Sequence, residues 1–439
     1  MMGTHDEDTN AYFRGTDVVC TNVPRSKSSW LGLGGQFVGS MYTHHQKTII
    51  CDIDPAEDSD LRRLVAFVGG IDITDGRYDT PEFHLYKTIH TVHSGDFYQN
   101  CTVGATYETG PREPWQDIHA MVMGPTVIDI LDNFADRWSH QNLQLRDALY
   151  YITDDEFDLD TPTEVPEELG GDWSVQVLRS ITSDSAVMSQ DRLEFLNRKY
   201  GRPLEDSIMR QYVNLIRGAK SFIYIENQYF LGSAFAWLED QETLSHHIIP
   251  IELAEKIISK IEEGEFFHVY ATIPMYPEGD PASTPSQEII RWQFRTMEMI
   301  YKRVWRAIEK AGIDAHPKDY ITFYCLGKRE SPDDVPDDLI PPAPGTGAEM
   351  VRETLRHPVY VHSKLLIVDD EYLVVGSANI NQRSLGGNRD SEICIGTFQP
   401  ACTHNGEIPR GGVHTFRLAL WSCHLGGYDP AYEDPATTE

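Results

Sequence analysis

Two stretches of the chain carry the same three side chains at the same spacing. His45-Gln46-Lys47 is followed by Asp52, and His362-Ser363-Lys364 by Asp369. In each the Lys stands two residues after the His and the Asp five after the Lys, a pattern written HxKxxxxD. Two imidazoles beside two ammonium groups can cut a phosphodiester without metal. One His attacks phosphorus, the other protonates the departing oxygen, and fixed positive charge holds the phosphate. One copy supplies half of that set, so the two are expected to meet in one site. On a strand, side chains at i and i+2 share a face, which puts His45 with Lys47 and His362 with Lys364. Asp52 and Asp369 fall on the opposite parity, at or past the strand end. There they either orient a His, most simply that of the other half, or brace the hairpin. A lone HxK is usually a solvated strand edge; two copies with parallel sequence behind them are not.

The elements that must position these residues repeat as well. The first motif lies in a strand-like run over 37–52, with a partner strand over 64–68 closed by Gly69-Gly70. The second lies in 359–368, turns at Asp369-Asp370-Glu371, and returns over 372–375 to Gly376-Ser377. Gly-Gly-Ile71-Asp72 follows one hairpin and Gly-Ser-Ala378-Asn379 the other, so the unit reads as duplicated. Val127, Ile128, Leu131, Phe134, Ala135 and Trp138 form a helical stripe. Thr284-Pro285-Ser286-Gln287 reads as a capping box opening a helix to about Lys310. Strand-like runs at 174–178, 222–225, 266–272 and 320–325 alternate with helical ones, which argues α/β layers. Acid-rich 154–172 reads as a connection between lobes, and 330–347, rich in Pro, Asp and Gly, as a long surface loop.

Composition narrows the function classes. The net charge of −31 argues against a nucleic-acid partner, whose phosphates are met with Lys and Arg. It also argues against simple electrostatic docking on anionic lipid. Seven widely spaced cysteines without a CxxC pair predict a reduced, intracellular protein with no disulfide framework or zinc ribbon. No signal-like leader and no spanning apolar run are visible, so the expectation is a cytoplasmic protein that is soluble or peripheral to a membrane. His44 must face away from His45 and reads as a packed or solvent-facing His. Asp52-Ile53-Asp54 resembles the DxD of aspartyl-phosphate phosphatases, but Pro55 stands where a Thr or Val belongs. Gly32, Gly34, Gly35 and Gly39 do not make a GxGxxG.

The paired motifs, with Gly376-Ser377-Ala378-Asn379-Ile380-Asn381-Gln382-Arg383-Ser384 and Arg389-Asp390-Ser391-Glu392, resemble the phospholipase D superfamily. Tyr42-Thr43-His44-His45-Gln46-Lys47, Gly76-Arg77-Tyr78-Asp79, Ile225-Glu226-Asn227-Gln228-Tyr229-Phe230 and Arg295-Thr296-Met297-Glu298-Met299 narrow it to the plant-type alpha class. The likeness runs from about Tyr12 to Leu425. It implies hydrolysis of phosphatidylcholine and related lipids to phosphatidic acid and a free head group. It makes His45 the nucleophile that becomes a phosphohistidine, and His362 the acid and then the base. It gives Lys47, Lys364 and Asn379 the phosphate oxygens, Gln228 a substrate contact, and Asp52 and Asp369 the completion of the motifs. It also implies a calcium site on His84 and His119 with a Glu near the C-terminus. Here Trp421-Ser422-Cys423-His424-Leu425-Gly426 puts Cys423 in place of that Glu. Imidazole and thiolate suit calcium poorly, and read without the resemblance His84 and His119 are ordinary partly buried histidines.

The fold expected is α/β: two similar α-β-α sandwich lobes related by a pseudo-two-fold, with the active site at their interface. Residues 1–152 form the first lobe, short at its N-terminus, 153–173 the linker and 174–439 the second lobe. Nothing resembles the C2 domain that plant-type enzymes carry. The expected partner is a phospholipid membrane surface, and no dimer is needed to build the site. The alternatives are another phosphodiesterase or nuclease of the superfamily, or a non-catalytic lipid-binding homologue.

Overall fold

A computed structural model describes residues 5–23, 42–55, 59–141, 143–159, 161, 171–403 and 410–435. The first lobe contributes β1 (Thr48–Ile53), β2 (Arg63–Gly69), β3 (Trp115–Gln116) and β4 (His119–Met123). The second contributes β5 (Ser174–Thr182), β6 (Leu204–Asp206), β7 (Phe222–Asn227), β8 (His268–Thr272), β9 (Ile321–Tyr324), β10 (Gly327–Arg329), β11 (Arg356–Pro358), β12 (Tyr360–Val361), β13 (Lys364–Val368), β14 (Tyr372–Gly376) and β15 (Glu392–Phe398). β1-β2-β4 form one antiparallel sheet, and β6-β5-β15-β14-β13-β7-β8-β9 form the large one. The large sheet is antiparallel from β6 to β7, then parallel through β8 and β9. The chain is thus a mixed α/β two-lobe protein whose lobes are unequal among the described residues.

Alternation along β13 shows why the layers stack as they do. Leu366 and Val368 turn to a core shared with the helices Ser207–Gly218, Ile249–Glu263 and Thr284–Ala311. Leu365 and Ile367 turn to a second core, which they share with Leu64, Ala66 and Val68 of β2 and with Val413, Leu420 and Trp421 of the helix Gly412–Leu425. A strand covered on both faces needs apolar residues at every position, and Lys364–Val368 is buried throughout. The helix Ser207–Gly218 buries Ile208, Tyr212, Leu215 and Ile216, a stripe at helical spacing. The cross-lobe core holds the two sheets face to face and fixes what lies along their common edge.

Several expectations are adjusted. The first strand begins at Thr48, so His45 and Lys47 lie in the extended chain before it; residues 37–41 lie outside those described. The long helix is capped by Ser283, whose side chain accepts from Ser286 N, rather than by Thr284, with Pro285 inside its first turn. The stretch 330–347 is anchored inside the protein, since Glu330 and Leu339 are both buried. Leu339 packs with Leu85, Tyr86, Ile89 and Leu355 in a third, smaller core. Most of the acidic connection falls outside the described residues, but Phe157 is buried and bridges to Arg62. No described helix is long and apolar enough to cross a membrane.

Candidate active site

The duplicated unit is superimposable in register. In the second half Leu365 pairs with Val375, one before Gly376, and Gly376 pairs with Cys394. In the first half Thr48 pairs with Val68, one before Gly69, and Gly69 pairs with His119. Counting back two residues from Cys394 and from His119 reaches Glu392 and Asp117. These two acids therefore occupy equivalent positions, and each crosses to the opposite half. His45 Nδ1 lies 3.0 Å from Glu392 Oε2, and His362 Nδ1 lies 2.6 Å from Asp117 Oδ2. The backbone repeats the exchange: His45 N donates to Ser391 O at 2.9 Å and His362 N to Gln116 O at 2.7 Å. A carboxylate on Nδ1 fixes the ring and leaves Nε2 free to attack or to donate.

The lysines close the same site. Lys47 Nζ bonds its own His45 O at 2.8 Å and pairs with Asp72 at 3.1 Å. Lys364 Nζ bonds Gln228 Oε1 at 2.9 Å and the His362 carbonyl. Gln228 is braced in turn by Tyr360 Oη at 2.9 Å. Asn379, the counterpart of Asp72 in the repeat, is buried with its Oδ1 unpartnered among the described residues. Trp115 packs on the His362 ring with centroids 5.0 Å apart.

Mutual electrostatics show that the halves converge. Burial pushes the His362 imidazole well below its ordinary value, and the charges of Lys364, Lys47 and His45 push it further. Burial likewise lowers Lys364 to about 8. Burial alone would raise the Asp72 carboxyl, but Lys47, His362 and His45 outweigh it and hold the group below the usual range. Glu392 is also lowered: burial opposes its charge, and His45, Lys47 and the Ser377 hydroxyl overcome that. Asp117 is raised by burial. Burial thus disfavours the charged forms of His362 and Lys364, and an anion bound beside them would restore the charge that burial suppresses.

His45, Lys47, His362 and Lys364 act on one another through space, Lys364 holds Gln228, and Asn379 takes the place that Asp72 has in the repeat. Asp52 and Asp369 do not join them. Asp52 pairs with Arg62, while Asp369 accepts from the backbone N–H groups of Lys220, Ser221 and Phe222 at 2.7, 2.8 and 3.0 Å. Five residues of strand carry each Asp roughly 16 Å from its Lys, so both brace their hairpins instead of orienting a ring. His84 is engaged by Glu330 at 2.9 Å, and His119 Nδ1 accepts from Ile71 N at 3.3 Å. Cys423 Sγ reaches the Pro81 carbonyl, at 3.7 Å, and the neighbouring His424. The three do not compose the oxygen-rich cage that calcium requires, and no cluster of three metal-binding side chains exists among the described residues.

Sequence reasoning missed the orienting pair Asp117 and Glu392, although Asp117-Ile118 and Glu392-Ile393 stand at equivalent places in the repeat. It also missed Glu226. This buried acid accepts from Ser363 Oγ, between the motif His and Lys, at 2.8 Å, and from His424 Nε2 at 2.7 Å. Burial disfavours a charged His424, but Glu226 outweighs it and raises the imidazole to about 9. A raised histidine pKa stabilises the fold fully below the unfolded value of about 6.5, and that contribution disappears as pH climbs through about 9. His424→Gln, which leaves Glu226 buried without its countercharge, is expected to cost about 3 kcal/mol at pH 6.5 in urea titration and far less at pH 9.5. An equal cost at both pH values would refute the ion pair.

The family model described as Phospholipase D matches residues 1–439. Over the full chain, phospholipase D alpha 2 of Brassica oleracea var. capitata is 44% identical, as are phospholipase D alpha 1 of Arabidopsis thaliana and of Zea mays. The chain spans 56% of the length of each of these relatives.

Proposed function

This chain belongs to the phospholipase D family, and on that premise we propose that it hydrolyses phosphatidylcholine and related glycerophospholipids to phosphatidic acid and a free head group. The observation that carries this reading is the reciprocal pairing of His45 with Glu392 and His362 with Asp117 across the two halves. A phosphodiester held between the two Nε2 atoms has a nucleophile on one side and a proton donor on the other. His45 attacks phosphorus, the P–O bond to the head group breaks, and His362 delivers a proton to the departing alcohol oxygen. His362 then takes a proton from water, which attacks the phosphohistidine and frees His45. In this order His362 acquires its proton when the phosphate anion enters. Lys47, Lys364 and Asn379 hold the phosphate oxygens, and Gln228 sets Lys364. Residues 1–152 and 174–439 act as the two catalytic lobes, and the partner is a phospholipid surface. These steps run through the side chains named; by the resemblance His84 and His119 would hold calcium, and Cys423 is a poor ligand for it.

A covalent intermediate open to water is open to small alcohols too. Vesicles of phosphatidylcholine with about 1% ethanol should yield phosphatidylethanol alongside phosphatidic acid, with choline released. Cleavage of DNA without phosphatidyl transfer would instead make the chain a nuclease of the same family. Lipid binding with neither reaction would make it a non-catalytic homologue. Chelating divalent cations should leave the rate on a soluble phosphodiester unchanged.

A further inference from the structure

The two halves place different groups at one point of the repeat. Gly69-Gly70-Ile71-Asp72 matches Gly376-Ser377-Ala378-Asn379, so a carboxylate stands in one half where the other has an amide. Each motif lysine bonds the carbonyl of its own histidine, but the second partner differs. Lys364 Nζ meets the neutral amide oxygen of Gln228, whereas Lys47 Nζ meets Asp72 Oδ1 at 3.1 Å. The turn that carries Asp72 is fixed residue by residue. Gly69 N donates to Lys47 O at 3.4 Å, Gly70 N to Ile118 O at 3.0 Å and Ile71 N to His119 Nδ1 at 3.3 Å. Burial works against a charge on Asp72, but Lys47, His362 and His45 outweigh it and keep the group ionised.

A fixed negative charge in a site for anions repels what the site must bind, so its use lies in choosing between anions. A phosphodiester carries one negative charge, and so does its phosphoryl group while attached to a histidine. Hydrolysis changes this. The head-group oxygen leaves, a hydroxyl from water replaces it on phosphorus, and that hydroxyl loses its proton with a pKa of about 6. At neutral pH only the product monoester is doubly charged. At a given distance a carboxylate repels the dianion twice as strongly as the monoanion. We propose that Asp72 sets the charge selectivity of the site, weakening its hold on a dianionic phosphomonoester relative to a monoanionic phosphodiester. The inference rests on the function proposed above and adds a specificity determinant to it: the carboxylate speeds departure of the product. An amide at this point, as at Asn379, would hold the product better and slow each cycle.

The test reads binding in the full chain carrying His45→Asn, which cannot turn the ligands over. Calorimetry at about pH 8, above the second phosphate pKa, gives Kd for two short-chain lipids in monomeric solution. Dihexanoyl phosphatidic acid is the monoester and dihexanoyl phosphatidylmethanol the diester. Adding Asp72→Asn should lower the ratio of monoester Kd to diester Kd about tenfold, the worth of one further unit of charge beside a carboxylate in a partly wet site. Asp72→Ser, equally uncharged but shorter, should move the ratio the same way, and Asp72→Glu should keep it within about twofold of the parent. With His45 present, Asp72→Asn should show product inhibition by the monoester that is stronger, relative to KM, by about the same factor. If Asp72 only braces Lys47, both ligands weaken together and the ratio stays constant, which overturns the inference. A ratio shifted as far by Asp72→Glu as by Asp72→Asn overturns it too. Failure of the wild type to cleave any phosphodiester removes the function proposed above and this inference with it; an unchanged ratio beside an active wild type removes this inference alone.

Discussion

His45→Asn is expected to abolish turnover, with a loss of at least about 10⁴-fold in kcat on phosphatidylcholine, because no covalent intermediate can form. His362→Asn is expected to lose a similar factor on the same lipid, but for a different reason. Its nucleophile is intact, and only the proton for the alcohol is missing. A p-nitrophenyl phosphodiester separates the two, since p-nitrophenolate departs without protonation. With it, His362→Asn should release a burst of one equivalent of p-nitrophenolate and leave a stable phosphohistidine on the peptide containing His45. His45→Asn should give no burst. Phosphate recovered on His362 instead would exchange the roles of the two histidines.

The second large effect is expected at residues that contact neither phosphate nor leaving group. Asp117→Asn keeps the size of the side chain at 2.6 Å from His362 Nδ1 but removes its charge. The amide can donate to Nδ1 and turn the tautomer so that the proton sits on the wrong nitrogen. A loss of about 10² to 10⁴-fold in kcat is expected, with an unchanged far-ultraviolet spectrum. Glu392→Gln should do the same to His45. Because each variant disables one partner of a joint step, the double variant should lose little more than the worse single one. A wild-type kcat in Asp117→Asn would show that the contact holds structure alone.

Much of this site is legible in the residue string because it is local. The spacing from His to Lys, the Gly-Gly and Gly-Ser closures and the apolar runs of β2 and β13 are properties of short segments. The acids that orient the rings are a different kind of information. Glu392 is far from His45 in sequence, and only strand exchange between halves brings them within 3.0 Å. The same distance in sequence hides Glu226, whose partners Ser363 and His424 come from two further elements. Asp52 and Asp369 mislead in the opposite direction. Their place in the repeating pattern invites a catalytic role, while strand geometry carries them to the far end of the hairpin. The helix cap at Ser283 was displaced by one residue because Thr284 offers the same hydroxyl.

Because each imidazole borrows its carboxylate from across the dyad, alignment is a property of the docked pair and of neither half alone. Parting the sheets by an ångström or two would misdirect both rings at once, since charge-assisted contacts of this length weaken steeply with separation. Mild denaturant should therefore silence the protein in a single step, at a concentration where each sheet is still folded. Halves expressed apart and mixed should recover that ability only in proportion to how much of them reassociates.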